Sequence, residues 1–293
     1  MTVNPRVDLA FKKIFGVEEN KDLLISLINS IVSEADQVSD VTILNPYTAK
    51  NFKKDKLSIL DIKAKDIRGQ RYNIEIQISD EANYDKRALF YWAKLYSEQL
   101  AESVDYSDLK KAIGIHILNF FSVPESKQYH NVFNLREKTT GIEFFKDMEL
   151  HTIELQKFES DGRLELKDYL KKVKSSLDRW ALFLTKHNLL SEGALPAELN
   201  EPSLKKALHV LNVINFSKEE REEYEAHLKW LRLEASTFKK QYEDGKAEGK
   251  AEGKAEEKIQ IAKRMLLEGL DLNIICKLTG LSKEQISNVK SGN

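Results

Sequence analysis

Asp61 and Glu75 are the residues of this chain whose types and spacing could do chemistry together. Asp61 lies in LSILDIKAKD and Glu75 in YNIEIQI, with Gln77 two residues further on. Both stretches alternate apolar and polar residues, the pattern of a half-buried strand. Leu60, Ile62 and Ala64 face one way; Ile59, Asp61, Lys63 and Lys65 face the other. In the second stretch Ile74, Ile76 and Ile78 share one face, and Asn73, Glu75 and Gln77 share the opposite one. The linker Asp66-Ile67-Arg68-Gly69-Gln70 is turn-like, and Gly69 can supply a positive φ. A hairpin folded about Arg68, the midpoint of 61 and 75, sets Asp61 directly opposite Glu75. Opposed side chains of this kind are about 5 Å apart at Cβ.

Two carboxylates at that separation repel each other, and a divalent cation between them reverses the sign. Carboxylate oxygens suit Mg²⁺ or Mn²⁺, and Mg²⁺ commonly takes one or two protein carboxylates plus water and substrate phosphate. The competing reading is a solvated outer face of an antiparallel sheet, on which Asp and Glu are ordinary.

The residues around the pair carry a family resemblance. Asp61, followed fourteen residues later by Glu75-Ile76-Gln77, resembles the Asp…(Asp/Glu)-x-Lys signature of the PD-(D/E)XK nuclease superfamily. Asp8-Leu9-Ala10-Phe11-Lys12 is similar to the opening of its recombination-promoting nuclease (Rpn-type), transposase-like branch. So is Arg87-Ala88-Leu89-Phe90-Tyr91-Trp92, after the second strand. The resemblance covers most of the chain and is strongest from Val7 to about Phe121. It implies an α/β (α+β) fold: a restriction-endonuclease-like core with a mixed central sheet, then an all-helical C-terminal region. It also implies metal-dependent hydrolysis of DNA, linked to recombination or mobile elements. Asp61, Glu75 and the Ile76 carbonyl would hold Mg²⁺, or Mn²⁺ in its place, and Gln77 would orient the attacking water. Asp8 or Lys12 would stand at the active-site edge. One departure matters: the superfamily's usual lysine is Gln77 here, and an amide can hydrogen-bond a water but carries no charge. The branch itself resembles this Glu-x-Gln form, so the change bears on turnover rather than on membership.

Composition narrows the field. The chain has 293 residues, 41% hydrophobic and 32% charged, enough for one nuclease-sized core with appendages. No apolar run approaches the roughly 20 residues that span a bilayer, which argues against a membrane protein. The start, MTVNPRVDLAFKKIF, lacks a signal-peptide core. The single Cys276 fits a reducing cytoplasm and excludes cysteine-rich zinc sites. The six histidines form no spaced pair and read as ordinary residues. A net charge of −1 is not that of a protein that coats DNA, so DNA contact must come from local patches. Lys53 and Lys54, entering the first strand, form one such patch, with a solvated basic loop as the plain alternative. Arg87 and Tyr91, one turn apart on a helix over Asp85–Glu102, are candidate phosphate contacts; such residues also commonly cover a core edge. Asp8 reads first as an N-cap and second as a site residue.

The segments divide as a nuclease-like core over 1–160, a helical region over 161–240, a spacer over 241–258 and a tail over 259–293. The core is expected to hold a broken helix from Asp8 to Val32 and strands at 40–45, 57–66, 72–78, 112–121, 128–136 and 149–155. Beyond it, helices are expected at 164–187, 203–214 and 218–238. The spacer, GKAEGKAEGKAEEK, has Gly245, Gly249 and Gly253 at a four-residue period. It reads as a tether or a self-associating helix, and a near-continuous helix is preferred. The tail resembles a helix-turn-helix: Gly269 stops one helix, Asn273–Leu278 is a second, and Ser282 with Gln285 opens a third as a capping box. Leu270, Ile274, Ile275, Leu278, Leu281 and Ile286 are its expected core. Lys283, Gln285 and Lys290 are its candidate DNA contacts, with a dimer or partner surface as the alternative.

The first functional expectation is therefore a metal-dependent DNA endonuclease acting as a homodimer. The second is a DNA-binding or scaffolding protein whose nuclease fold is weak or silent, motivated by Gln77 and the near-neutral charge.

Overall fold

The computed structural model describes residues 3–47, 61–79, 83–100, 105–159 and 165–290. It divides into two compact units, Met1–Leu231 and Arg232–Asn293. The strands are β1 (Val41–Ile43), β2 (Ile62–Asp66), β3 (Arg71–Gln77), β4 (Ala112–Leu118), β5 (His130–Arg136) and β6 (Glu143–Glu154). The helices are α1 (Asp8–Phe15), α2 (Lys21–Ile31), α3 (Tyr84–Ser97), α4 (Leu155–Glu159), α5 (Leu166–Leu170), α6 (Ser176–Lys186) and α7 (Pro202–Val213), then α8 (Lys218–Leu267), α9 (Leu272–Thr279) and α10 (Lys283–Lys290).

The strands form one mixed sheet in the order β1-β2-β3-β4-β6-β5. The β1-β2, β2-β3 and β5-β6 pairs are antiparallel, and β3-β4 and β4-β6 are parallel. This is the α/β arrangement expected from the sequence. A parallel pair cannot be joined by a tight turn, and α3 makes the crossover from β3 to β4. β4, AIGIHIL, is buried along its whole length, as its nearly continuous apolar sequence requires of a strand covered on both faces. Gly114 leaves room there: a Cβ would lie 2.6 Å from a Leu150 methyl and 3.1 Å from His116 Nε2.

The main core lies between one sheet face and the helices. Ile62, Ala64, Tyr72, Ile74, Ile76, Ile113, Ile115 and Ile117 pack with Phe11, Ile14 and Phe15 of α1 and with Leu23, Leu24, Leu27 and Ile28 of α2. Tyr169, Trp180, Phe183, Leu204 and Leu208 join the same cluster, so the helices after residue 160 share their core with the sheet. α3 covers the other face, where Tyr84 and Ala88 pack on Leu118 and Phe120. Trp92 Nε1 ties α3 to the Ala112 carbonyl at 2.7 Å.

Several elements differ from expectation. Val7, not Asp8, is the N-cap of α1, and no side chain makes a capping hydrogen bond there. Asp8 instead sits in the first turn, where a carboxylate meets the positive end of the helix dipole. The sixth strand begins at Glu143, six residues before the expected start. The helix expected over 164–187 is two helices, because Ser175 and Asp178 form a capping box that starts α6 afresh. The strand expected over 57–66 is described only from Asp61 onward, so its earlier residues, with Lys53 and Lys54 before them, lie outside the described residues.

In the second unit α8 is helical through 245–258, the continuous form preferred for the spacer. Gly269 stops the first tail helix at φ +77° and Gly280 the second at φ +71°. Ala262, Ile275 and Ile286 form the buried centre, with Leu270 and Leu281 partly buried against them. Ile274 and Leu278, expected in this core, are exposed. They lie four residues apart on one face of α9, and the buried face is that of Ile275 and Thr279.

Candidate active site

The hairpin that carries the carboxylate pair has the register read from the sequence. Lys65 pairs with Arg71, Ala64 with Tyr72, Lys63 with Asn73 and Ile62 with Ile74. One further step puts Asp61 at the rung of Glu75. The turn is held by Asp66, whose Oδ1 accepts from the amides of Arg68 and Gln70 at 2.9 and 2.8 Å. Gly69 takes φ +89°.

The polar face of β3 is not solvated. Asn73 is 2% and Glu75 8% exposed, because β3 is interior to the sheet and α3 lies over it. Buried charge needs partners, and two side chains stand beside Glu75, one of them held by a third. Arg87 Nη2, from α3, is 3.5 Å from Glu75 Oε1. His116, the residue paired with Glu75 on β4, brings Nδ1 to 3.7 Å from Oε2. Tyr84 OH is 2.8 Å from the same imidazole nitrogen. Burial, with the charges of Arg87 and His151, pulls the His116 pKa down to about 4, so the ring is neutral near pH 7. Burial and the neighbouring Glu75 push the Tyr84 hydroxyl well above its usual range.

Asp61 is held mainly through its backbone. Lys12 Nζ donates to the Asp61 carbonyl, and Asn45 Nδ2 donates to the same oxygen at 3.1 Å. Asn45 Oδ1 accepts from the Lys63 amide at 2.7 Å, which clamps the start of β2. Lys12 is only 1% exposed. Burial lowers its pKa to about 8, against the pull of Asp61. Burial raises the Asp61 carboxyl, opposed by Lys12 and Lys63. Gln77 Nε2 donates to Ser79 O and Oγ at 3.2 and 3.3 Å, while its Oε1 accepts from Arg87 Nη2 at 2.6 Å. Ile76 turns its side chain into the core between them.

The other sequence candidates fall elsewhere. Asp8 meets α8, with Oδ2 3.8 Å from His227 Nδ1. Tyr91 is exposed one turn after Arg87. Lys283 and Gln285 are exposed in the second unit, and the Lys290 side chain lies outside the described residues. Gln285 Oε1 also accepts from the Ser282 amide at 2.8 Å, completing the capping box. Sequence reading missed Asn45, Tyr84 and His116. Only His116 had a signal: it is the one strongly polar residue in an apolar strand.

Among the described residues no group of three or more His, Cys, Asp or Glu could hold a metal ion. The donor chemistry still fits Mg²⁺, which needs only one or two protein carboxylates and takes its other ligands from water and phosphate.

Residues 5–241 match the family model described as PD-(D/E)XK nuclease family transposase. The chain belongs to that family. Residues 255–291 match a second model, the C-terminal HTH domain of the Rpn/YhgA-like nuclease family. No curated protein and no solved structure matches the chain. Membership supports a nuclease or transposase-like role for the fold. Among the described residues no helix is long and apolar enough to cross a membrane.

Proposed function

We propose that this protein is a metal-dependent DNA endonuclease that hydrolyses phosphodiester bonds, in recombination or on mobile elements. The observation that carries the reading is the hairpin register, whose continuation by one residue beyond the Ile62–Ile74 pair would bring Asp61 opposite Glu75, inside a family-matched nuclease frame. Asp61, Glu75 and the Ile76 carbonyl would hold Mg²⁺ or Mn²⁺. When bound, the ion supplies Lewis-acid polarisation of the phosphate and a water of lowered pKa. Lys12 and Asn45 fix the main chain at Asp61, Arg87 and His116 stand beside Glu75, and Tyr84 holds His116. The Gln77 amide is bonded at both ends, to Arg87 and to Ser79, and would orient the attacking water through its oxygen. The products are 5′-phosphate and 3′-hydroxyl ends.

The division of labour follows the sequence segments: 1–160 for catalysis, 161–240 to brace it, 241–258 as a helical spacer and 259–293 as a DNA contact through Lys283, Gln285 and Lys290. Two copies working together would cut both strands.

The test is supercoiled plasmid incubated with Mg²⁺, Mn²⁺, Ca²⁺ or EDTA. Cleavage that needs Mg²⁺ or Mn²⁺ and leaves 5′-phosphate ends supports the nuclease. A retained gel shift without cleavage in any metal would instead support a DNA-binding scaffold, the reading that Gln77 motivates.

A further inference from the structure

Gln77 removes a positive charge from the signature, and the structure returns one beside it. A guanidinium has donors only, so the Gln77 amide must turn its oxygen toward Arg87. The other end of the amide agrees, since Nε2 donates to Ser79 O and Oγ. Arg87 Nη2 thereby sits 2.6 Å from Gln77 Oε1 and 3.5 Å from Glu75 Oε1. Its Cζ lies 4.9 Å from the centre of the Tyr84 ring, which supports the guanidinium plane from α3. The nearby lysines are committed elsewhere: Lys12 to the Asp61 carbonyl, Lys13 to Glu220 at 2.8 Å and Lys63 to Glu98 at 3.2 Å.

We propose that Arg87 supplies the positive charge that a lysine at position 77 would carry, and that Gln77 is the positioning residue that holds it. This rests on the hydrolytic reading above. The guanidinium donates hydrogen bonds to non-bridging phosphate oxygens as negative charge builds there, and no proton changes hands. Its planar fork suits phosphate. Removing one such preorganised donor commonly costs 10²–10³ in kcat.

The experiment compares single-turnover cleavage of plasmid with Mn²⁺ by wild type, R87A, R87K, Q77K and the double variant R87A/Q77K, with Mn²⁺ titration calorimetry on each. In the wild-type background R87A should lower kcat by about 100-fold or more, with little change in KM. R87K, which keeps the charge, should lose less. In the Q77K background the further loss from R87A should shrink to less than about tenfold, because a lysine is then present at that position. Mn²⁺ binding by R87A should persist. A purely structural Arg87 would cost the same in both backgrounds. Equal penalties, equal losses in R87A and R87K, or wild-type rates in R87A would overturn the proposal while leaving the nuclease intact. A wild type that neither cleaves nor binds Mn²⁺ would instead remove the hydrolytic reading, and this proposal with it.

Discussion

Lys12 donates its ammonium to the main-chain carbonyl of Asp61, 49 residues away in sequence. A buried lysine on the first helix thus fixes the residue just before β2. The contact explains why an amphipathic helix would bury a charge: the charge finds a carbonyl with a carboxylate beside it, where a neutral side chain would leave the carbonyl with Asn45 alone.

Replacing Lys12 with Met keeps the apolar stem and removes the donor. Stability should fall by about 1–3 kcal/mol, the usual consequence of stripping a buried partner. Metal-dependent cleavage should fall at least tenfold, by the reasoning that a small misplacement of a ligand is costly. Urea unfolding and plasmid cleavage measure the two. Lost stability with unchanged cleavage would show that Lys12 serves folding only.

Tyr84→Phe leaves the buried Nδ1 of His116 without its 2.8 Å partner. The expected cost is about 1–3 kcal/mol in urea unfolding. Because the same nitrogen faces Glu75, cleavage should fall more than stability predicts. An unchanged unfolding midpoint would contradict the buried contact.

Acid should weaken the fold before the carboxylates titrate. Burial lowers the pKa of His130 and of His187 to about 4, assisted by His151 in the first case and Arg6 in the second. Unfolded, each binds a proton near pH 6.5. As pH falls from about 6.5 to 4 the unfolded chain therefore holds more protons than the folded one, and stability drops. The Glu149 carboxyl, also buried but drawn down to about 2 by hydrogen bonds from His151 and Lys111, adds its own loss only below about pH 4.5. Urea midpoints measured from pH 8 to pH 4 should decline through the upper window. His187→Gln should flatten part of that decline.

Much of this was legible in the sequence, and the limits have physical causes. The hairpin register could be read because a period-two pattern and a glycine turn are local, and a slip of one residue would turn the buried isoleucines outward. The capping box of Ser282 and Gln285 is likewise a three-residue event. The burial of Glu75 was hidden, since it depends on α3 and β4, far along the chain, closing over β3. Tyr84 and His116 meet only through that same closure. Asp8 misled because an acidic residue at a helix start can stand at the cap or just inside it. The break before α6 was available in Ser175-Ser176-Leu177-Asp178, a capping signal that a continuous apolar stripe overshadowed.

Ser282→Ala should loosen the last helix. Ser282 Oγ accepts from the Gln285 amide at 3.1 Å, and the reciprocal bond is 2.8 Å. Loss of such a cap costs about 1 kcal/mol. Amide exchange over Lys283–Lys290 should then quicken by about fivefold in the full chain. Unchanged exchange would mean that packing of Ile286 alone holds the helix.

The most direct measurement is Mn²⁺-dependent plasmid cleavage by wild type, Asp61→Ala, Glu75→Ala and the double variant, each with its fold checked by urea unfolding. Two ligands of one ion act as a unit, so each single change should abolish cleavage as fully as both together. Cleavage that survives either change at near wild-type rate, in a folded protein, would contradict the assignment of Asp61 and Glu75 as the catalytic pair.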